Sequence, residues 1–256
     1  MSRNERRSRF WLALVVFGLT GQVAWTVENM YLNVFIYKMF HASAEAISAM
    51  VAASAVAATV TTLLTGALSD KIGKRKIFIC GGYILWGISI LSFSLIRVDV
   101  ISKLFPLASA ASVGISLTII LDCVMTFFGS SANDAAFNAW LTDSTDETNR
   151  GAVEGINSMM PLLAILAVFG GFMAFDLNAP QSWSYIFAII GAVVIFVGVL
   201  GLFIIKEPDL KPAESGYFRT VVHGFLPSTV KGSPSLYVYL AAFIIFNISI
   251  QIFMPY

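Results

Sequence analysis

Charge is what this sequence has least of. Asp, Glu, Lys and Arg make up only 12% of its 256 residues, against 57% hydrophobic. A soluble domain of this size could not cover that much apolar surface with so few charged groups. Cysteine and histidine are also scarce, at two each. Cys80 and Cys123 fall inside long apolar runs, which predicts buried free thiols and argues against a disulfide framework or a thiolate metal site. His41 and His223 stand alone, with no second ligand at metal spacing. No Gly-Lys-Ser/Thr phosphate loop occurs, and nothing resembles a hydrolase or a kinase. The chain is therefore not expected to be an enzyme, and no cofactor, metal or nucleic-acid partner is expected. The glycines at 170–171 and from 191 to 201 lie in apolar segments and read as packing positions.

The charges that remain are clustered, and they leave long uncharged runs. These are Phe10 to Val27, Ala46 to Ser69, Ile77 to Ile96, Gly155 to Phe175, Leu177 to Ile205 and Gly232 to Tyr256. A further run, Leu104 to Leu141, is interrupted only by Asp122 and Asp134. A spanning helix needs roughly 20 apolar residues. Seven transmembrane helices are expected, near 9–37, 44–68, 75–97, 107–141, 151–175, 183–205 and from 236. Helix 4 is too long for one straight span. Helix 2 carries Ala49, Ala53 and Ala57 at four-residue spacing, which lets neighbouring backbones approach closely. The Arg-rich start has no cleavage site after a short apolar region, so it reads as a retained first helix rather than a signal peptide. Between residues 206 and 234 the chain gains four prolines along with charge. This stretch reads as a central loop with a short interfacial helix around 217–225.

With the N-terminus inside, 13 of the 16 Lys and Arg residues fall on the inner side and three, Lys38, Arg97 and Lys103, on the outer. This bias predicts a cytoplasmic N-terminus.

Four acids lie within or at the edge of the apolar runs: Glu28, Asp122, Asp134 and Glu154. No Lys or Arg sits at comparable depth. A carboxylate at a helix centre costs about 2.5–3.5 kcal/mol on insertion scales, so such groups face a wet cavity, bind a cation or hold a proton. Glu154 reads as paired with Arg150 one turn away. On helix 4, Asp122, Thr126, Ser130, Asp134 and Asn138 recur every four residues and share one slowly drifting face. Helix 1 has a matching line through Gln22, Thr26, Asn29 and Asn33, with Glu28 beside it. Two polar stripes predict a shared aqueous cavity. The competing explanation is interhelical hydrogen bonding that only holds the bundle together. The residues expected to contact solute or cation are Glu28, Asn29, Asn33, Asp122, Asp134 and Asn138. Aspartates of the turn 143–147 are candidate caps for helix 5.

Gly66-Ala67-Leu68-Ser69-Asp70-Lys71-Ile72-Gly73-Lys74-Arg75-Lys76, set between two apolar segments, resembles the helix 2–3 loop of the major facilitator superfamily. The resemblance implies an all-α polytopic membrane protein built as a six-helix half-bundle plus one further transmembrane helix. It assigns residues 1–205 to the N-terminal bundle, 206–235 to a cytoplasmic central loop and 236–256 to helix 7, the start of a C-terminal bundle. It also implies a conformational motif at Gly66, Asp70, Gly73, Lys74 and Arg75. The chain is then expected to be a fragment of a secondary transporter in the cell membrane that needs a complementary C-terminal half.

A narrower resemblance lies in Asn133-Asp134-Ala135-Ala136-Phe137-Asn138-Ala139-Trp140-Leu141 and the Asp-rich turn after it. This stretch is similar to helix 4 of the glycoside–pentoside–hexuronide cation symporters. It implies a small polar solute such as a sugar or glycoside, coupling to a proton or Na⁺, and a role for Asp134 in the site. That family carries an aspartate pair on helix 2 where this chain has Ala58 and Thr62. The departure shifts the implication from Na⁺ toward proton coupling through Asp134 or Glu28, or toward uncoupled transport. The alternatives are a drug or metabolite exporter and a non-transporting membrane interaction protein. Against the exporter stand the absence of arginine in helix 4 and of a Gly-Pro-x-x-Gly-Gly run in helix 5.

The charge bias makes a direct prediction. A cysteine placed in the basic 2–3 loop and one placed at Ser102 should react with impermeant thiol reagents from opposite sides of the membrane. Reaction from the same side would overturn the topology.

Overall fold

The computed structural model describes residues 3–207 and 217–253. Among these residues every regular element is helical. This follows from the composition, because a backbone in hydrocarbon must satisfy its own N–H and C=O groups. Six helices are long and apolar enough to cross a membrane: α1 (Ser8–Phe40), α2 (Ala44–Ile72), α3 (Lys76–Leu95), α4 (Ala110–Asp143), α5 (Arg150–Phe172) and α6 (Pro180–Ile204). A seventh apolar helix, α7 (Pro234–Phe253), follows the central loop, and from Val238 to Ser249 it is exposed along its length. A short helix does stand where one is expected in the central loop, Tyr217–Val222 with a 3₁₀ turn at His223–Phe225. The last residues of the chain and 208–216, with two of the four prolines, lie outside the described residues.

Local chemistry sets the helix ends. Ser43 caps α2 by accepting from Ala46 N–H at 3.2 Å. Gly73 ends α2 in the left-handed region (φ 69°) and returns its N–H to Ser69 O, a conformation that glycine adopts without a Cβ penalty. The aspartates of the 143–147 turn do not cap α5, whose N-cap is Asn149. Asp146 instead accepts from its own turn. The Thr148 hydroxyl (2.5 Å) and backbone N–H (2.9 Å) hold its carboxyl below the ordinary range.

Two helices widen within their spans. α1 widens to a π-helix over Val27–Leu32, and α4 does so over Ser130–Phe137. Packing joins α1 to α5, α2 to α4 and α3 to α6, and further joins α3 to α4 and α1 to α6, with α3–α6 the most extensive pair. Exchanging helices 1, 2, 3 for 4, 5, 6 leaves that pairing scheme unchanged. The two wide helices, α1 and α4, are counterparts under the exchange.

Glycine makes the α3–α6 contact possible. A Cβ at Gly87 would lie 2.7 Å from Gly191 O, and one at Gly191 would lie 2.8 Å from Gly87 O. Gly198 meets Ile84 and Tyr83 in the same way, and Gly201 meets Phe17 and Cys80. Gly170 and Gly171 differ from the expectation, because a Cβ at either would meet nothing within 4 Å. The space beside them is open, and Gly171 borders an apolar cleft with Val23 of α1 and Ile186 and Ile190 of α6. Cys80 is buried and Cys123 half-buried, and both are free. The expected Arg150–Glu154 pair does not form, and Glu154 is exposed. A base placed one turn N-terminal to an acid is the weaker orientation on a helix.

Gly87→Ala should destabilise the bundle by about 1–3 kcal/mol through overpacking against the α6 backbone. Gly170→Ala should stay within about 0.5 kcal/mol of wild type. Thermal unfolding in detergent compares the two, and equal effects would contradict the close α3–α6 contact.

Candidate functional site

A cleft of about 470 Å³ opens between α1, α2 and α4. From α1 it is lined by Gln22, Trp25, Glu28, Asn29 and Asn33, and from α4 by Asp122, Thr126 and Asp134. α2 supplies Met50, Val51, Ser54, Ala55 and Ala58. Five of the six expected contact residues therefore meet in one place. Asn138 stands apart from this lining, and its Nδ2 donates to Asp134 O at 3.2 Å. Thr126 was expected on the helix 4 stripe and does line the cleft. Thr26, from the helix 1 line, instead turns back and donates to Gln22 O at 2.7 Å.

The π segments have a local cause and a geometric effect. Asn29 Nδ2 donates to Trp25 O (2.9 Å), and Asn33 Nδ2 donates to Asn29 O (3.2 Å). Side chains that bond the carbonyl four residues back compete with the backbone amides for that acceptor, and the ladder shifts to the wider i→i+5 pattern. In a 3.6-residue turn, positions four apart drift steadily around the axis. A wider turn reverses that drift. Asp134, in the π segment, thus returns to the face that carries Asp122 and Thr126.

Three carboxyl groups share the cleft with no Lys, Arg or His in its lining. Glu28 is 8% exposed and Asp122 2% exposed. Glu28 Oε1 accepts from the Thr126 hydroxyl at 2.8 Å. Glu28 Oε2, Asp122 Oδ1 and the Ser130 hydroxyl are buried with no hydrogen-bond partner among the described residues. Ser54 of α2 faces the Asp122 carboxyl. Among the described residues no group of three His, Cys, Asp or Glu is arranged to hold a metal ion.

A polar chain backs the cleft. Trp25 Nε1 donates to Asn133 Oδ1 (3.4 Å), Asn133 Nδ2 donates to the Tyr83 hydroxyl (2.7 Å), and Tyr83 donates to Phe17 O (2.8 Å). The rings of Trp25 and Trp86 lie 5.0 Å apart, and those of Tyr83 and Phe17 lie 4.8 Å apart. This chain ties α1, α3 and α4 together and fixes the Trp25 wall. Sequence reading missed Tyr83, Trp25 and Asn133 as supports. The signal available was a buried amide directly before Asp134, and buried amides require partners.

At the end of the bundle where α2 meets α3, Arg75 is 6% exposed. Its guanidinium pairs with Asp70 (2.5 Å) and Asp143 (3.0 Å) and donates to the Ser69 hydroxyl (2.5 Å). The carboxylate of Glu207, just past α6, accepts from the backbone N–H of Arg75 and of Lys76. Asp143 was expected as a cap and instead joins α4 to this network. Lys74 is exposed beside it, and a Cβ at Gly66 would meet nothing within 4 Å. Glu207 was missed, although it is the first acid after helix 6 and returns to the basic end of the bundle.

The family model described as Major Facilitator Superfamily matches residues 10–256. Comparison with curated proteins returns no match, and comparison with solved structures returns none. The match covers nearly the whole chain and agrees with six apolar helices and the Asp70–Arg75 loop. The chain is a multi-pass membrane protein and belongs to the Major Facilitator Superfamily, a family of membrane transporters.

Proposed function

We propose that this protein is a secondary carrier of a small polar solute, coupled to proton movement through the carboxyl groups of the α1–α2–α4 cleft. The observation that carries the reading is the convergence of Glu28, Asp122 and Asp134 in one cleft without a base in its lining. Carboxyls of one sign in a membrane domain gain and lose protons as the surrounding packing changes, and this links solute binding to a proton gradient. Proton coupling fits better than Na⁺, since α2 offers Ser54, Ala55 and Ala58 to the cleft and no acid. In this reading Asp134 is the coupling group, with Asn29 and Asn33 as polar contacts for the solute. The family match supports the superfamily and does not reach the glycoside symporter group. A sugar or glycoside solute therefore rests on the helix 4 resemblance alone.

The other wall of the path is assigned to a complementary six-helix half, against which this bundle would rock around a midplane site. Two features favour that arrangement. Asp70 keeps its side chain 42% exposed while it pairs with Arg75, and Gly66 faces open space on the same helix. The charge bias supports a reading with the N-terminus and the Arg75 network on the cytoplasmic side of the cell membrane.

Asp134→Asn tests the coupling role. In the complete carrier, reconstituted in vesicles that enclose a pH-sensitive dye, transported solute should carry protons with it. The variant should insert normally, yet lose gradient-driven uptake and solute-linked proton movement. Wild-type proton movement with unchanged pH dependence would remove Asp134 from this role.

A further inference from the structure

The proposed carrier reading leaves the chemical class of the solute open, and the cleft narrows it. Two buried carboxyl oxygens, Glu28 Oε2 and Asp122 Oδ1, line the cleft without a hydrogen-bond partner. A buried acceptor left unpaired costs about 1–3 kcal/mol, and more when it is charged. Their neighbours donate too little to satisfy them. Thr126 bonds the other oxygen of Glu28, and Ser54 directs a hydrogen bond to Val51 O at 3.2 Å. Ser54 also stands against the Asp122 carboxyl as a hydroxyl donor, and Asp122 Oδ1 still stays unpaired. The cleft thus presents two free carboxyl oxygens from two helices and no cationic donor of its own.

An alkylammonium group is the complement of that arrangement. It carries three N–H donors, no acceptor and one positive charge. Hydroxyl groups could also bond the free oxygens, but they bring no charge to offset two carboxylates. An anionic solute would meet three acids and no base. The surroundings fit the rest of such a molecule. Trp25 offers an aromatic face of the kind that attracts cations, and Met50, Val51, Ala55 and Ala58 form an apolar wall on α2.

We infer that Glu28 and Asp122, with Ser54 holding the Asp122 carboxyl in place, form a subsite for the protonated amine of the solute, which makes the carried molecule a small primary amine. The inference rests on the reading of this cleft as the solute path. It divides the acids by role: Glu28 and Asp122 hold the amine, and Asp134 serves coupling.

Equilibrium binding to the purified full chain in lipid nanodiscs tests the subsite with matched probes. Propylamine and phenethylamine are compared with propan-1-ol, 2-phenylethanol and phenylacetate at neutral pH. At least one amine should bind about tenfold or more tighter than its alcohol, a factor equal to about 1.4 kcal/mol, and phenylacetate should bind weakest. Glu28→Gln and Asp122→Asn should each erase the preference for the amine over its alcohol, and an unshifted thermal unfolding temperature in the same nanodiscs separates a lost subsite from a lost fold. Ser54→Ala should reduce the preference in part. Alcohols that bind as tightly as both amines, or a preference that survives in both acid variants, would overturn the subsite. Failure of the two proposals is distinguishable. Amine selectivity with no gradient-driven uptake would sink the carrier reading alone. Driven uptake of a solute with no amine preference would sink the subsite alone.

Discussion

A carboxyl group inside a hydrocarbon layer must be given a polar surrounding, and the arrangement of α1, α2 and α4 answers that demand. Three such groups enter the bundle on two helices. They are gathered at one cleft rather than scattered, so a single wet space serves all of them. The two helices that carry them are also the two that widen into π turns, each at its polar stretch. Small residues on α2 leave the room. The cost of burial is thus met mainly by geometry, with the Thr126 hydroxyl bonded to Glu28 and Ser54 set against Asp122. What stays unmet, the free oxygens of Glu28 and Asp122, is the part of the structure with the strongest demand for a ligand.

The rest of the bundle holds that cleft in place. On α3 and α6, glycine against glycine brings two backbones together, and hydrogen bonds from Ser184 to Ser94 O and from Lys76 to Leu202 O join the same pair. Between that contact and the cleft stand Tyr83, Asn133 and Trp25, each bonded to the next. Positive charge is kept to the ends. Arg75 collects Asp70, Asp143 and Ser69 around one buried guanidinium, while Glu207 bonds the adjacent backbone amides. Four segments meet there: the ends of α2 and α4, the start of α3 and the exit of α6. A shift of any one of them breaks bonds made by the others.

Much of this was legible in the sequence, for identifiable reasons. Spans are written in long uncharged runs, and six of the expected helices appear within a few residues of their places. The stripe from Asp122 to Asp134 was legible because polar residues in apolar helices are few. The π turns were not legible, since a four-residue period reads as an α-helical face that drifts, and only the carbonyl-bonding Asn side chains hinted otherwise. Asn138 continues the period but lies beyond the cleft. Arg75 was recognised as part of a motif, yet its partners Asp143 and Glu207 lie 68 and 132 residues away in sequence. No local pattern encodes such pairings.

The central claim is that the face of α2 bearing Ser54 and Ala58 borders a wet, anionic cleft, while Val56 and Val60 on the same helix face outward. In a background without Cys80 and Cys123, Ser54→Cys and Ala58→Cys can be compared with Val56→Cys and Val60→Cys in intact membranes. Cationic and anionic thiosulfonate reagents of similar size are used in parallel. The account predicts reaction at 54 and 58 with the cationic reagent faster by about tenfold or more, as a cleft lined by one sign of charge requires, and little reaction at 56 and 60. Equal rates for the two reagents at 54 and 58, or reaction at 56 and 60 as fast as at 54 and 58, would contradict it.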